Sequence, residues 1–241
     1  MKKIIRILSL VFAFMFIFSA CSNEKKEETA GESQKVLFTM QNGATFVIET
    51  YPEYAPKTCE NFIELVEDGF YNGLTFHRIV EGFVAQGGDP DGNGSGGSSK
   101  KIVGEFAANG HQNNLSHTRG VVSMAREPYN NNSASSQFFI CYDDLSSSLD
   151  GSYAAFGKVI MGMDTVDSFL NIERVSDGYS DEISLPVTPI VIANAKVITN
   201  EEYNELTAAE VGASDETVSL MQTETTDEAM LPEDGKTEVT K

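Results

Sequence analysis

From Val36 to Glu49 apolar and polar positions alternate, with a break in the middle. Val36, Phe38 and Met40 fall on one side of the first half, and Ala44, Phe46 and Ile48 on one side of the second. Asn42-Gly43 between them supplies the pair of positive-φ residues that a type I′ turn needs, so the stretch predicts a β-hairpin. The period then changes. Cys59, Phe62, Ile63 and Val66 recur at helical spacing, Pro56 suits a first helical position, and Gly69 suits a helix end. Beyond Tyr71 the pattern becomes short apolar runs cut by glycine, over 75–80, 82–86, 120–125, 137–142, 153–160 and 190–198. A second short helix is predicted over Met163–Leu170. Many short strands with frequent turns point to an antiparallel barrel or sandwich. No repeat of about 20 to 50 residues is visible.

The ends of the chain read differently. Lys2, Lys3 and Arg6 precede an uncharged, mostly apolar run, Ile7–Ala20. That run is short of the roughly 20 residues a bilayer span needs, but it suits the hydrophobic region of an export signal. Phe18-Ser19-Ala20-Cys21 resembles the lipobox of bacterial lipoproteins, with Phe18 where that box usually carries leucine. The resemblance implies a signal peptide over 1–20 and a diacylated Cys21. It thus predicts a domain outside the cytoplasm, anchored by lipid to the bacterial cell membrane. Residues 21–34, with Glu24-Lys25-Lys26-Glu27-Glu28, read as a solvated tether. Residues 201–241 hold twelve acidic and two basic residues, about half of the formal charge of −19, and read as an acidic, disordered tail. Such a balance argues against nucleic acid, whose phosphates call for lysine and arginine. The remaining stretch, 35–200, suits one domain with its own core. Cys59 and Cys141 are far apart in sequence and are read as buried thiols, with a disulfide left open.

Several motifs invite other chemistries. Gly92, Gly94 and Gly97 fit G-x-G-x-x-G, but no strand ends immediately before them and no apolar helix follows. Asp89, Asp91 and Asn93 fit the start of an EF-hand loop, yet its twelfth position is Lys100. His77, His111 and His117 pair with no other histidine or cysteine at ligand spacing, and there is no G-x-S-x-G elbow. His77 reads as a hydrogen-bonded core or rim residue. Neither a metal nor a cofactor is expected.

One ordered set of motifs is harder to attribute to chance. Phe76-His77-Arg78, Gly82-Phe83, Gln86-Gly87-Gly88-Asp89, Gly94 with Gly96 and Gly97, Gly104-Glu105-Phe106 and His117-Thr118-Arg119-Gly120 come first. Ser123-Met124-Ala125-Arg126, Ser136 to Ile140, Leu149-Asp150-Gly151 and Phe156 to Val159 follow. Together with Ala55 to Phe62 they resemble the cyclophilins, which are peptidyl-prolyl cis-trans isomerases. The resemblance runs from about Lys35 to Ile198. It implies a closed, eight-stranded antiparallel β-barrel capped by two α-helices, and catalysis of rotation about X–Pro bonds.

Residue by residue, the resemblance places the catalytic arginine on Arg78. Phe83 and Phe139 match the floor and wall of a proline pocket, Leu149 an aliphatic wall, and Val84 stands where many members have methionine. Gln86 matches a glutamine that contacts the substrate backbone and helps hold the arginine. Gly94, Ala125 and Gln137 match further groove contacts. Arg126 replaces the asparagine, and Tyr153 the histidine, of many members. Ser148 stands at the position of a tryptophan that helps many members bind cyclosporin, so weak cyclosporin binding is expected. Glu127–Ser135 differs in length from the eukaryotic form. The expected partners are proline-containing segments of unfolded or exported proteins. The rival reading is a holdase that binds such segments at the membrane surface without turnover.

Overall fold

A computed structural model describes residues 31–176, 178 and 181–210. Eight strands close into an antiparallel barrel: β1 (Lys35–Met40), β2 (Thr45–Thr50), β3 (Thr75–Ile79), β4 (Val84–Asp89), β5 (Val121–Met124), β6 (Phe138–Cys141), β7 (Ala155–Met161) and β10 (Ile190–Ile198). Around the barrel the order is β1-β10-β3-β4-β6-β5-β7-β2. Each of these strands lies on a run that the sequence marks. A separate two-stranded ribbon, β8 (Arg174–Ser176) with β9 (Ile183–Pro186), was not foreseen.

The core is largely aromatic. Phe38, Phe46, Phe62, Tyr71, Phe76, Phe138 and Phe156 are all fully buried inside the barrel. Phe38 stacks on Phe46, ring centroids 4.9 Å apart, across the β1–β2 ladder. The β1–β2 connection departs from the expected two-residue turn. Met40 N–H donates to the Ala44 carbonyl at 2.8 Å and Gly43 N–H to the Met40 carbonyl at 2.9 Å. Gly43 has φ +87. This is a three-residue loop in which one left-handed glycine forms a bulge. Asn42 Oδ1 accepts the Ala44 N–H at 3.0 Å, which occupies the donor that a two-residue turn would use in the ladder.

Helix α1 (Pro56–Glu67) sends Cys59, Phe62, Ile63 and Val66 into the core, as its apolar spacing predicts. Its first turn is capped from a distance. The buried Glu105 carboxylate accepts the Lys57 N–H at 3.1 Å and the Thr58 N–H at 2.8 Å, and the Thr58 hydroxyl at 2.7 Å. A carboxylate there meets both the unpaired donors and the positive end of the helix dipole. Helix α2 (Ser146–Leu149) is a single turn. Helix α3 (Met163–Ser168), extended by a 3-10 turn over Phe169–Asn171, adds Val166 and Phe169 to the core.

The domain does not stop at residue 200. Residues 200–210 are helical and form α4, so the first part of the expected disordered tail is folded. Thr199 Oγ1 accepts the Glu202 N–H at 3.1 Å, and the Glu202 carboxylate accepts the Thr199 N–H at 2.8 Å. This reciprocal capping box starts the helix. Tyr203 and Leu206 then cover Leu37, Val47, Met161 and Ile198 on the outside of the barrel. Residues 211–241, and the signal and lipidation positions up to Cys21, lie outside the described residues.

Candidate active site

Strand β3 turns its arginine outward by means of a bulge. Phe76 pairs with Gly87 and Arg78 with Gln86, which leaves His77 as an extra residue. Simple alternation would put Phe76 and Arg78 on one face; the bulge shifts the parity, so Phe76 and Ile79 enter the core and Arg78 leaves it. The His77 ring is buried, and burial lowers its pKa. Contrary to expectation, neither ring nitrogen has a hydrogen-bond partner among the described residues. On β4, Gln86 projects outward, and of the two glycines after it the second is required by space. A Cβ on Gly88, at φ +82, would lie 2.6 Å from the Ser136 carbonyl oxygen.

Next to Arg78 is an apolar cup. Val84, Phe139, Cys141, Leu145 and Leu149 form its buried part, with Phe83, Ala125 and Tyr153 packed at its partly exposed edge. The Arg78 guanidinium carbon sits 5.4 Å from the centre of the Phe83 ring. Phe139 meets Tyr153 edge to face at 5.7 Å and lies against His117 at 6.1 Å. A fixed cation thus borders a hydrophobic hollow of aromatic and aliphatic side chains.

A chain of amides runs along the groove from the arginine. Arg78 Nη1 donates to Gln86 Oε1 at 3.4 Å, and Gln86 Nε2 to Gln137 Oε1 at 2.9 Å. Gln137 Nε2 then donates to the Gly94 and Gly96 carbonyls at 3.0 and 2.8 Å. The loop carrying Gly94 is held by Asp89, whose buried carboxylate accepts the Asp91, Asn93 and Gly94 N–H groups at 2.9, 3.1 and 2.6 Å. Burial would raise the Asp89 pKa, but those backbone donors outweigh it and hold it below the usual carboxylate range. The tempting EF-hand start is therefore an internal loop anchor, and no cluster of metal-ligating side chains occurs among the described residues.

Gln86, Gly94, Ala125, Arg126 and Gln137 line one cavity of about 190 Å³ beside the cup. A larger cavity, about 770 Å³, runs along α1 and includes none of the residues singled out for the site. Arg126 is engaged with its own chain. Its guanidinium lies 4.8 Å from the Tyr153 ring and donates to the Ser152, Glu127 and Pro128 carbonyls, each at 3.0 Å. It braces the 127–135 loop and the Tyr153 edge.

Two features were missed or underrated in the sequence. The first is a serine–histidine–aspartate arrangement. Asp150 Oδ1 lies 2.7 Å from His117 Nδ1, and His117 Nε2 lies 3.0 Å from Ser123 Oγ. A carboxylate can only accept, so Nδ1 carries the proton and Nε2 accepts from the serine hydroxyl. Burial lowers the His117 pKa, with Asp150 opposing it, and keeps the ring neutral. Ser123 is 0% exposed, beneath Phe139, so it cannot reach a substrate; the array supports the floor of the cup. The second is Glu182, immediately before β9. Its carboxylate accepts Arg78 Nε–H and Nη2–H, both at 2.7 Å. No local pattern links residues 104 positions apart.

The outward arginine, the aromatic cup and the closed eight-stranded barrel lie within the part of the chain that the sequence comparison assigns to a family. The family described as cyclophilin type peptidyl-prolyl cis-trans isomerase/CLD matches residues 35–197. The chain belongs to the cyclophilins. Among its relatives, a Helicobacter pylori peptidyl-prolyl cis-trans isomerase is 38% identical over 154 residues, covering 64% of this chain and 87% of that protein. The Neurospora crassa peptidyl-prolyl cis-trans isomerase-like 1 is 41% identical over 159 residues, 66% of this chain and 91% of the other. A crystal structure of a Cryptosporidium parvum cyclophilin type isomerase superposes with a TM-score of 0.61 at 33% identity. The match covers 70% of this chain and 99% of that one. The same Cryptosporidium protein has also been crystallised in the presence of the dipeptide Ala-Pro.

Proposed function

We propose that this cyclophilin accelerates X–Pro rotation in exported proteins, with Arg78 as the catalytic group and the Phe83–Phe139 cup as the proline pocket. The observation that carries this is the Arg78 guanidinium, held over Phe83 at the mouth of a hydrophobic hollow.

Amide resonance imposes a barrier of roughly 18–20 kcal/mol on the bond. Rotation makes and breaks no covalent bond, so it needs neither nucleophile nor metal. As the bond twists, resonance is lost and the proline nitrogen recovers a lone pair that accepts a hydrogen bond. A guanidinium aimed at that lone pair stabilises the twisted state more than either planar one, which lowers the barrier. A charge-assisted hydrogen bond contributes about 1.5–3 kcal/mol, or roughly ten- to a hundredfold in rate. The cup holds the proline ring, while Gln86, Gln137 and the Gly94 loop offer polar groups along the peptide.

The setting is read from the sequence. The basic start, the apolar run and the Phe18-Ser19-Ala20-Cys21 box support a lipid anchor at Cys21, outside the cytoplasm. Mass spectrometry of the native N-terminus tests this: a diacylated cysteine supports the anchor, and an intact Met1 contradicts it. A protease-coupled proline-peptide assay on the full chain in detergent tests the activity. Acceleration with a nearly flat pH–rate profile from about pH 6 to 9 is expected, because arginine stays protonated throughout. Binding without acceleration would instead favour a holdase.

A further inference from the structure

We infer that Glu182 is a positioning residue for Arg78, an inference that rests on the catalytic reading of that arginine. Arginine presents five N–H donors in a planar fork. Glu182 takes the Nε–H and one Nη2–H, a side-on bidentate pair at 2.7 Å on both arms. The remaining N–H groups, on Nη1 and the far side of Nη2, point along the outer end of the fork. On that side Gln86 makes a single long contact at 3.4 Å. The Phe83 ring lies 5.4 Å from the guanidinium carbon and offers no hydrogen bond that would fix the rotation of the fork. The two short bonds to Glu182 therefore fix the in-plane orientation, and they do so without occupying the end of the fork that faces the groove.

The scaffold of the restraint is consistent with this role. Glu182 leads into β9, and the Arg78–Glu182 pair therefore joins the β8–β9 ribbon to β3 in the barrel wall. Both side chains are about one-third exposed, at 29% and 36%, so solvent screens the pair. That screening keeps the pair's contribution to overall stability modest. Its consequence is geometric. Placement errors of about 1 Å in a reacting group can cost up to a hundredfold in rate, so a fixed orientation is worth more here than the pair's own energy.

The test uses the full chain in detergent and the variants Glu182→Ala, Glu182→Gln and Glu182→Asp, each checked for intact fold by its amide NMR spectrum. The expected result is a fall in kcat of about tenfold for Glu182→Ala and Glu182→Gln, with KM changed less than twofold, and partial recovery in Glu182→Asp. On an Arg78→Ala background, Glu182→Ala should cause no further fall, which a general weakening of the ribbon would not reproduce. The Arg78 Nε–H signal should exchange slowly with water in the wild type and rapidly in Glu182→Gln. Unchanged or increased kcat in both Glu182→Ala and Glu182→Gln overturns the inference, an increase marking the carboxylate as a competitor of substrate. Failure of the catalytic reading itself is separable: then the wild type is inactive or Arg78→Ala is as fast as wild type.

Discussion

Arg78 and Gln86 are direct partners across the β3–β4 ladder, while Phe76, two residues before the arginine, faces the opposite side of the barrel wall. The bulge at His77 creates that difference. It turns a strand that would have buried its cation into one that presents it beside the cup, with the glutamine alongside.

Gln86 connects the arginine to Gln137 and through it to the Gly94 loop. Gln86→Ala should therefore lower kcat/KM by roughly five- to twentyfold, combining a lost restraint on Arg78 with a loosened groove, since its contact to Arg78 is long, at 3.4 Å, and contributes less than a short charge-assisted bond. Steady-state kinetics on a series of X–Pro peptides provide the check. A variant as fast as wild type would remove Gln86 from the site.

Stability should fall as pH drops from about 7.5 to 5.5. His77 and His117 are buried and their pKa values are lowered, so the folded protein keeps both rings neutral. Below about 6.5 the unfolded chain binds protons that the fold does not, and each histidine then costs up to about 1.4 kcal/mol per pH unit until its folded pKa is reached. Asp89 and Asp150 also have depressed pKa values and act in the same sense, but in a lower pH window. Their stabilisation is present above the usual carboxylate pKa of about 4 and is lost only below it. Urea midpoints at the two pH values should differ clearly in the wild type and less in His77→Leu. Equal midpoints would contradict neutral burial.

Helix α4 depends on its capping box and two side chains. Thr199→Ala should cost about 1 kcal/mol and Leu206→Ala a similar amount, since Leu206 is only half-buried. Both variants should retain full isomerase activity, because α4 packs on Leu37, Val47, Met161 and Ile198 and not on the cup. Paired denaturation and activity measurements check this; a large loss of activity would show the helix to be coupled to the groove.

Much of this was legible from local pattern, and the exceptions have a common cause. Alternation over Val36–Glu49 and the 3.6 period over Cys59–Val66 mark elements whose apolar faces meet the core directly. The His77 bulge was not visible, because an inserted residue changes parity without changing composition. The Glu105 cap of α1 and the Glu182 contact to Arg78 are long-range, joined only by the closing of the fold. The Thr199–Glu202 capping box was a local signal, hidden by the acidic composition around it. Among the residues singled out for the site, Arg126 lines the groove but gives its donors to its own backbone, which only the packing of Tyr153 and the 127–135 loop reveals.

Ser148 lies on the one-turn helix beside the cup, its hydroxyl bonded to the Leu145 carbonyl at 3.1 Å. With no tryptophan anywhere in the chain, cyclosporin should bind weakly. Ser148→Trp should tighten it by about tenfold or more, through added aromatic contact. Calorimetry decides the matter, and low-nanomolar affinity for the wild type would contradict the expectation.

The most direct test of the central claim is the rate of cis–trans exchange of a proline peptide with the Arg78→Ala full chain, read by NMR at saturating peptide. The predicted result is a catalysed rate about ten- to a hundredfold below wild type, with the peptide still bound by the cup. A variant that exchanges the peptide as fast as wild type would show that the guanidinium does not stabilise the twisted bond.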